Sequence, residues 1–362
     1  MNTLSKVVIV FSAIMIVFAF SVALTIPAKG QSSIQGMIDN TSPNGTLTIP
    51  AGTYYENIVI TKPMTIQGSG VTIHAPTVTI NNTTTMSGDV IHVTGFGVHI
   101  TGLTLIGGAS GINLDHAQNC VISDVNAHSN IRGVYLAGSS NNLIKNCDLS
   151  NNGYGVYGDY ASHNTITTSK MTGAFGGSTA LGDGIFFNFG DSNTVKGNTL
   201  SDNNAFGISC TGSSDNQISG NTISNNIRIG ARFGPGANNN QLFSNTISSN
   251  GVAPSSGALA STFPACGVLV VDTAFNNRIY NNTFINQQIQ ISGSNYLTTA
   301  PATTAANTTN ATATAVAVPP LTIAVPSTDT ALLWVIIALV AIVIILAFVF
   351  IFQYYRNGGF GR

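Results

Sequence analysis

The chain has 362 residues, room for one large domain or two ordinary ones, and only 7% of them are charged. Twelve basic against thirteen acidic residues give a net charge of −1, which excludes a nucleic-acid binder with a basic stripe, a halophile-type acidic shell and a charge-rich coiled coil. Thirty-eight glycines, with an excess of Asn, Thr and Ser, argue against helix through the middle of the chain.

The N-terminus places Lys6 before an apolar run over residues 7–26. Ala23, Ala28 and Gly30 supply small residues at its exit. This order predicts a secretory signal over residues 1–30, with an uncleaved anchor as the alternative because the run is long.

From residue 111 onward the sequence repeats itself. Gly111-Ile-Asn-Leu, Gly133-Val-Tyr-Leu, Gly155-Val-Tyr-Gly and Gly184-Ile-Phe-Phe are followed by Gly207-Ile-Ser-Cys, Gly230-Ala-Arg-Phe and Gly267-Val-Leu-Val. These glycines are 22, 22, 29, 23, 23 and 37 positions apart, a unit of 22 or 23 with two insertions. Each start is followed by an Asn and, two places on, an apolar residue: Asn142/Ile144, Asn164/Ile166, Asn193/Val195, Asn216/Ile218, Asn240/Leu242 and Asn277/Ile279. Five residues further comes another apolar position, Leu149, Met171, Leu200, Ile223, Ile247 and Phe284.

Each unit therefore holds three short alternating runs between Gly/Asn/Ser turns, one side in and one side out. A single turn cannot bury its inward face, but stacked turns can. The prediction is an all-β parallel solenoid in which Ile144 lies between Ile122 and Ile166, and the asparagines form a column at one corner. Asn suits such a corner because it tolerates left-handed backbone and its amide both donates and accepts along a stack. A β-propeller needs blades of roughly 40 residues or more, and a leucine-rich repeat needs Leu at several fixed positions per unit. Neither matches.

The segments Ile34-Gln-Gly-Met-Ile-Asp39, Gly45-Thr-Leu-Thr-Ile-Pro-Ala-Gly-Thr-Tyr54, Glu56-Asn-Ile-Val-Ile60 and Met64-Thr-Ile-Gln-Gly68 resemble the N-terminal cap and first coils of right-handed parallel β-helix proteins, the pectin-lyase-like superfamily. The later Gly-Ile-x-Leu…Asn-x-Ile units are similar to its NosD-like branch, whose relatives are frequent on archaeal cell surfaces. The resemblance covers residues 31–296 and implies a right-handed single-stranded parallel β-helix with a cap helix over residues 33–39. It does not fix a function, because the superfamily holds polysaccharide lyases, hydrolases, epimerases, adhesins and envelope proteins.

Cys120, Cys147, Cys210 and Cys266 fit no zinc or redox spacing. Export would permit disulfides in any of three pairings, and buried free thiols are the alternative. Sequons at Asn40, Asn44, Asn81, Asn82, Asn281, Asn307 and Asn310 are candidate glycosylation sites. Residues 297–329 are rich in Thr, Ala, Asn and Pro and read as an extended, glycosylated stalk. Residues 331–352 carry no charge and are long enough to cross a bilayer. A transmembrane helix over 330–353 is therefore expected. Trp334, Tyr354 and Tyr355 mark its interfaces, and Arg356 and Arg362 hold a short tail, 354–362, in the cytoplasm. The remainder is then a cell-surface domain.

The inward positions of each repeat leave Asn113, Tyr135, Tyr157, Phe186, Ser209, Arg232 and Leu269 facing out, one per coil. Tyr135, Tyr157 and Phe186 fall on successive coils as an aromatic row able to stack on sugar rings, and with Arg232 they are the candidate ligand-binding residues. The other account is that aromatics simply suit strands. Insertions at 172–183 and 251–266 leave from one corner beside this row and could line a groove. Asp115 and Asp159 share a position two coils apart, roughly 9.6 Å along the axis. They are the candidate catalytic pair, at the edge of the separation used by inverting glycosidases.

The resemblance implies that superfamily enzymes gather several acids, or acids with Arg and calcium, on this face. Calcium is therefore expected only if the protein is an enzyme, and no other cofactor is expected. His74, His92, His99, His116, His128 and His163 share no ligand motif, so no metal site is expected either. The reading is a membrane-anchored surface protein with an adhesive, glycan-binding or structural role and envelope glycans or surface proteins as partners. The alternative is a polysaccharide lyase or glycoside hydrolase.

Overall fold

The computed structural model describes residues 33–80, 83–86, 88–176, 182–251 and 266–298. The predicted signal, transmembrane helix and tail and all of the stalk past residue 298 lie outside them, as do Asn81, Asn82, Asn307, Asn310, residues 177–181 of the first insertion and 252–265 of the second. Among the described residues no helix is long and apolar enough to cross a membrane.

The chain winds into a parallel β-solenoid. Its strands join into parallel sheets of thirteen, ten and five strands, with one antiparallel hairpin, Thr77–Ile80 against Thr83–Met86, beside them. From Tyr154 to Ile285 each coil gives one short strand to each parallel sheet. The predicted column is present: Ile122 pairs with Ile144, Ile144 with Ile166 and Ile166 with Val195, all completely buried. It continues through Ile218, Leu242 and Ile279. On the ten-stranded sheet the matching inward column runs Ile112, Val134, Val156, Ile185, Ile208, Ala231 and Val268. A continuous apolar core threads the coils.

The repeated glycine has a steric cause. A Cβ at Gly111, Gly133, Gly155, Gly184, Gly207 or Gly230 would stand 2.5–2.7 Å from the carbonyl oxygen of the equivalent glycine one coil on. Only a residue without a side chain lets successive coils approach this closely.

Asparagine holds the corners, and it does so three times over. In the predicted column each Oδ1 accepts from both the backbone N–H and the Nδ2 of the Asn one coil back, from Asn142 through Asn164, Asn193, Asn216, Asn240 and Asn277 to Asn295. Five residues further along, Asn198, Asn221, Asn245 and Asn282 form a second ladder. Another five on, Asn203, Asn226, Asn250 and Gln287 form a third. Each Nδ2 also donates to a backbone carbonyl, as Asn216 does to Gly190, so polar backbone buried at a corner is satisfied. The left-handed residue is not the ladder Asn but the one before it: Asn141, His163, Ser192, Asp215, Asn239 and Asn276 have φ of 57–59°. The ladder Asn is thus held for its amide, and the turn strain falls on its neighbour.

At the N-terminal end a helix, Ile34–Asn40, packs Ile34 and Ile38 into the core. The Glu56 carboxylate accepts from the N–H groups of Ile34 and Gln35 and from the Ser33 hydroxyl, which suits the positive end of a helix. Gln35 bonds both the N–H and the carbonyl of Val59, covering the outer strand's open edge. At the other end the last pairing, Ile279 with Leu297 and Tyr280 with Thr298, carries the solenoid two residues past the expected boundary.

Asn216→Ala strips Asn193 of its acceptor and Gly190 of its donor inside the protein. With each orphaned buried group costing ~1–3 kcal/mol, the expected loss is about 3 kcal/mol or more, read as a lowered urea midpoint. Asn216→Asp, which keeps the acceptor but loses the donor, is expected to be destabilising too.

Candidate functional site

The outer face of the ten-stranded sheet carries the candidate residues, and the strand register places them. One outward row runs His92, Asn113, Tyr135, Tyr157, Phe186, Ser209, Arg232 and Leu269. Two residues along each strand lies a second row, Asp115, Ala137, Asp159, Asn188 and Thr211. Tyr135, Tyr157 and Phe186 do stand on successive coils, but half-buried rather than fully presented. Farther along, Ser209 and Leu269 are buried, and Leu269 joins Ala205, Phe206, Ile229 and Cys266 in a small apolar cluster on this face.

The rings pack against one another edge to face. Tyr135 and Tyr157 centroids lie 5.5 Å apart at 69°, and Tyr157 and Phe186 5.2 Å apart at 71°. Tyr154, buried beside them, meets Tyr157 at 5.0 Å and stacks on Phe186 at 6.1 Å. The Arg132 guanidinium lies 4.5 Å from the Tyr135 ring centre and 5.2 Å from that of Tyr157, a cation–π contact with both. Burial first, and then the Asp159 charge, push the Tyr157 phenol up to about 12 and raise Tyr135 as well, against the opposing pull of Arg132. Both hydroxyls therefore stay protonated at neutral pH.

Beside the rings the carboxylates converge with two imidazoles. His92 Nδ1 lies 3.1 Å from Asp89 Oδ2 and its Nε2 3.3 Å from Asp115 Oδ2. Asp115 Oδ1 is 2.6 Å from Nδ1 of His116, and Asn113 Nδ2 donates to Asp89 at 2.9 Å. Both nitrogens of His92 are engaged, whereas His116 is exposed and lines a surface cleft of about 430 Å³ with Thr94, Phe96, Gln118 and Asn119. One coil past Ala137, Asp159 Oδ1 accepts from Asn188 Nδ2 at 2.8 Å.

The two sequence-derived acids thus share a row but are not joined to each other, and each already bonds protein groups. Among the described residues no group of three or more His, Cys, Asp and Glu is arranged to hold a metal ion. The residues present do not fit a calcium cage, which needs six or more converging oxygens. Arg232 sits three coils beyond Tyr157, donating to Ser209 and Thr211 hydroxyls, away from the aromatic group. Asn40, Asn44 and Asn281 are exposed. All four cysteines are free and buried, and burial pushes Cys147 up to about 11 and Cys210 and Cys266 up to about 12, so these thiols are inert.

The meeting of Asp89, His92 and Asp115 was hidden in the sequence because the first coils lack the glycine phase that aligns the later ones. Asp183 was also overlooked. It is completely buried on the outer face, with Oδ1 accepting from the Phe206 N–H and Oδ2 unpartnered among the described residues.

Residues 110–284 match the family described as the right handed beta helix region. Among solved structures, the chain is similar to a DFA-IIIase from Arthrobacter chlorophenolicus A6 in complex with GF2, at 11% identity and TM-score 0.51, over 66% of this chain and 76% of that one. It is also similar to the full-length tailspike protein 2 of Escherichia coli O157:H7 bacteriophage CAB120, at 14% identity and TM-score 0.50, over 71% of this chain and 41% of that one. The A-module of the mannuronan C-5 epimerase AlgE6 of Azotobacter vinelandii aligns at 15% identity and TM-score 0.48, over 75% and 96%. No curated protein matches the chain. These likenesses concern the fold.

Burial pushes the Asp183 carboxyl up from 3.8 to about 7, against the pull of the Phe206 N–H, Arg232 and Arg228. Between those two values the unfolded chain has lost a proton that the native state keeps, so stability falls as pH rises through the window and levels off above it. Asp183→Asn is expected to raise the melting temperature at pH 8 and leave it nearly unchanged at pH 4.

Proposed function

We propose that this chain, a right-handed parallel β-helix of the pectin-lyase-like fold, is a membrane-anchored surface protein that binds glycans on the outer face of its ten-stranded sheet. The observation that carries the proposal is the pairing of two unlike rows on one rigid surface. Tyr135, Tyr157 and Phe186 offer apolar ring area, and Asp115, Asp159 and Asn188 offer hydrogen-bonding groups two residues away on the same strands. A sugar has the matching shape, C–H faces bounded by hydroxyls, and recognition sites commonly combine apolar walls with a few placed polar groups. Because strands rather than loops hold both rows, little order is lost on binding. The flanking segments support the location: residues 1–30 read as an export signal and 331–352 as a single span with the domain outside. Adhesion and envelope architecture are the roles such a surface would serve, with envelope glycans or neighbouring surface proteins as partners.

A second reading, processing of a surface or extracellular polysaccharide, rests on the 2.6 Å contact between Asp115 and His116. A carboxylate that orients an exposed imidazole beside a cleft resembles the arrangement of a general base. No calcium-dependent step is part of this reading.

Both readings are testable on the full chain in detergent micelles. On a glycan array, Tyr135→Ala and Phe186→Ala are each expected to weaken binding roughly five- to tenfold, the scale of one lost aromatic contact. Unchanged binding in both would remove the row as a ligand surface. Incubation with neutral polysaccharides and polyuronides is expected to yield no new reducing or unsaturated ends. Ends that form with the wild type and vanish with Asp115→Asn, Asp159→Asn or His116→Ala would establish the enzyme instead.

A further inference from the structure

Two residues past the half-buried rings each strand ends, and the next residue opens a corner. That corner position is occupied on successive coils by His116, Gly138, Tyr160, Phe189 and Gly212, all left-handed with φ of 51–58°. Glycine fills such a position without strain, as it does at Gly138 and Gly212, whereas Tyr and Phe pay for it. The two bulky residues are also outside the protein: Tyr160 is 65% exposed and Phe189 48%. Their rings are parallel, 5.2 Å apart at 14°, in contrast to the edge-to-face contacts along Tyr135, Tyr157 and Phe186. Phe189 lies over Gly212, where a Cβ would come within 2.5 Å of its ring. One face of Phe189 is thus covered by protein and the other by Tyr160. Tyr160 leans on Phe189, and on its other side Gly138 has no side chain of its own, the His116 imidazole lying over it much as Phe189 lies over Gly212.

We propose that Tyr160, backed by Phe189, is a ledge on which one ring of a neutral glycan stacks, and that the adjoining groove selects neutral or N-acetylated sugars over polyuronates. This rests on the outer face being a glycan-binding surface and specifies which part of it grips the ring. The polar partners stand beside the ledge. Asp159 and Asn188 immediately precede Tyr160 and Phe189 and bond to each other at 2.8 Å through Asp159 Oδ1, leaving the second Asp159 oxygen for a sugar hydroxyl. A carboxylate accepting from a hydroxyl makes a strong, directional bond. The His116 ring over Gly138, 3.0 Å from where a Gly138 Cβ would be, is a wall of the cleft that also holds Phe96.

The selectivity follows from charge. Asp89, Asp115 and Asp159 border this stretch. The Arg132 guanidinium lies over the Tyr135 and Tyr157 rings. Arg232 donates to Ser209 and Thr211. His92 and His116 lie against Asp89 and Asp115. A uronate chain would bring further carboxylates beside these, and like charges across an interface reject a partner. A neutral hexose or an N-acetylated sugar carries no such penalty.

The test is calorimetric titration of the full chain in detergent micelles with cellohexaose, mannohexaose and N-acetylchitohexaose as neutral probes and hexagalacturonate and hexamannuronate as uronate probes. At least one neutral probe is expected to bind, and both uronates at least roughly tenfold more weakly. Tyr160→Gly, which installs the residue native to the same position at 138 and 212, is expected to weaken the neutral probe roughly five- to tenfold while its melting transition is kept. Tyr160→Phe, which keeps the ring, is expected to bind like the wild type. Should Tyr160→Gly fail to fold, Tyr160→Asn, which tolerates the left-handed backbone, takes its place with the same expectations. Wild-type affinity in the Gly or Asn variant, alongside loss of binding in Tyr135→Ala, would overturn the ledge and leave the sheet face standing as the site. Uronates binding as tightly as neutral probes would overturn the selectivity. A wild type that binds none of the five would remove the glycan-binding surface and the ledge together.

Discussion

The stacked carboxamide is the constraint on which this architecture rests. A solenoid corner turns the backbone away from its strand neighbours and leaves buried N–H and C=O groups that water cannot reach, each expensive if unmade. An Asn at that place accepts from the coil behind it with Oδ1 and donates with Nδ2 to a carbonyl and to the Asn ahead. The geometry serves all partners only when equivalent residues lie directly over one another. The same bonds that satisfy the backbone therefore fix the register, and the register fixes which side chains share a row on the outside.

Those rows account for the functional face. The strands supply rigid, half-buried aromatics whose edge-to-face packing stabilises the rings themselves. The corner supplies residues that stand clear of the surface. Asp115 and Asp159 occupy matching rungs but live in different surroundings, one between two imidazoles and the other beside a carboxamide. Ala137 between them stands where a third acid would complete the row. Sites of this kind put chemistry on a scaffold whose spacing is set elsewhere, by the core and the ladders.

Much of the fold was legible in the sequence because its signals are periodic. Gly111 to Gly267 and Asn142 to Asn277 keep phase with Ile122, Ile144 and Ile166, and only stacking explains that agreement. The second and third ladders were equally present, five and ten residues beyond the first, but the eye follows the residue that begins a repeat. The candidate site was only partly legible. Tyr135, Tyr157 and Phe186 are in register as alternation implies, yet alternation says nothing of how deep a ring sits or at what angle. The contact between Asp115 and His92 runs diagonally from one outward row to the other, and His92 precedes the repeating glycines, so the phase of the later coils does not announce it. Tyr160 and Phe189 were readable in principle, because they replace glycine at a recurring turn position, and an aromatic where glycine belongs is a departure that asks for a cause.

The ladders also bear on how such a protein changes size. From Asn142 to Asn277 each coil presents acceptors on one side and donors on the other, and both match those of the other coils in that stretch. A duplicated or deleted turn would find its bonding sockets already cut, so gene-level slippage by one unit lengthens or shortens the rod without a new core having to be invented. Reach, and the count of rungs available to a long polymer, can therefore drift between descendants while the cross-section stays the same.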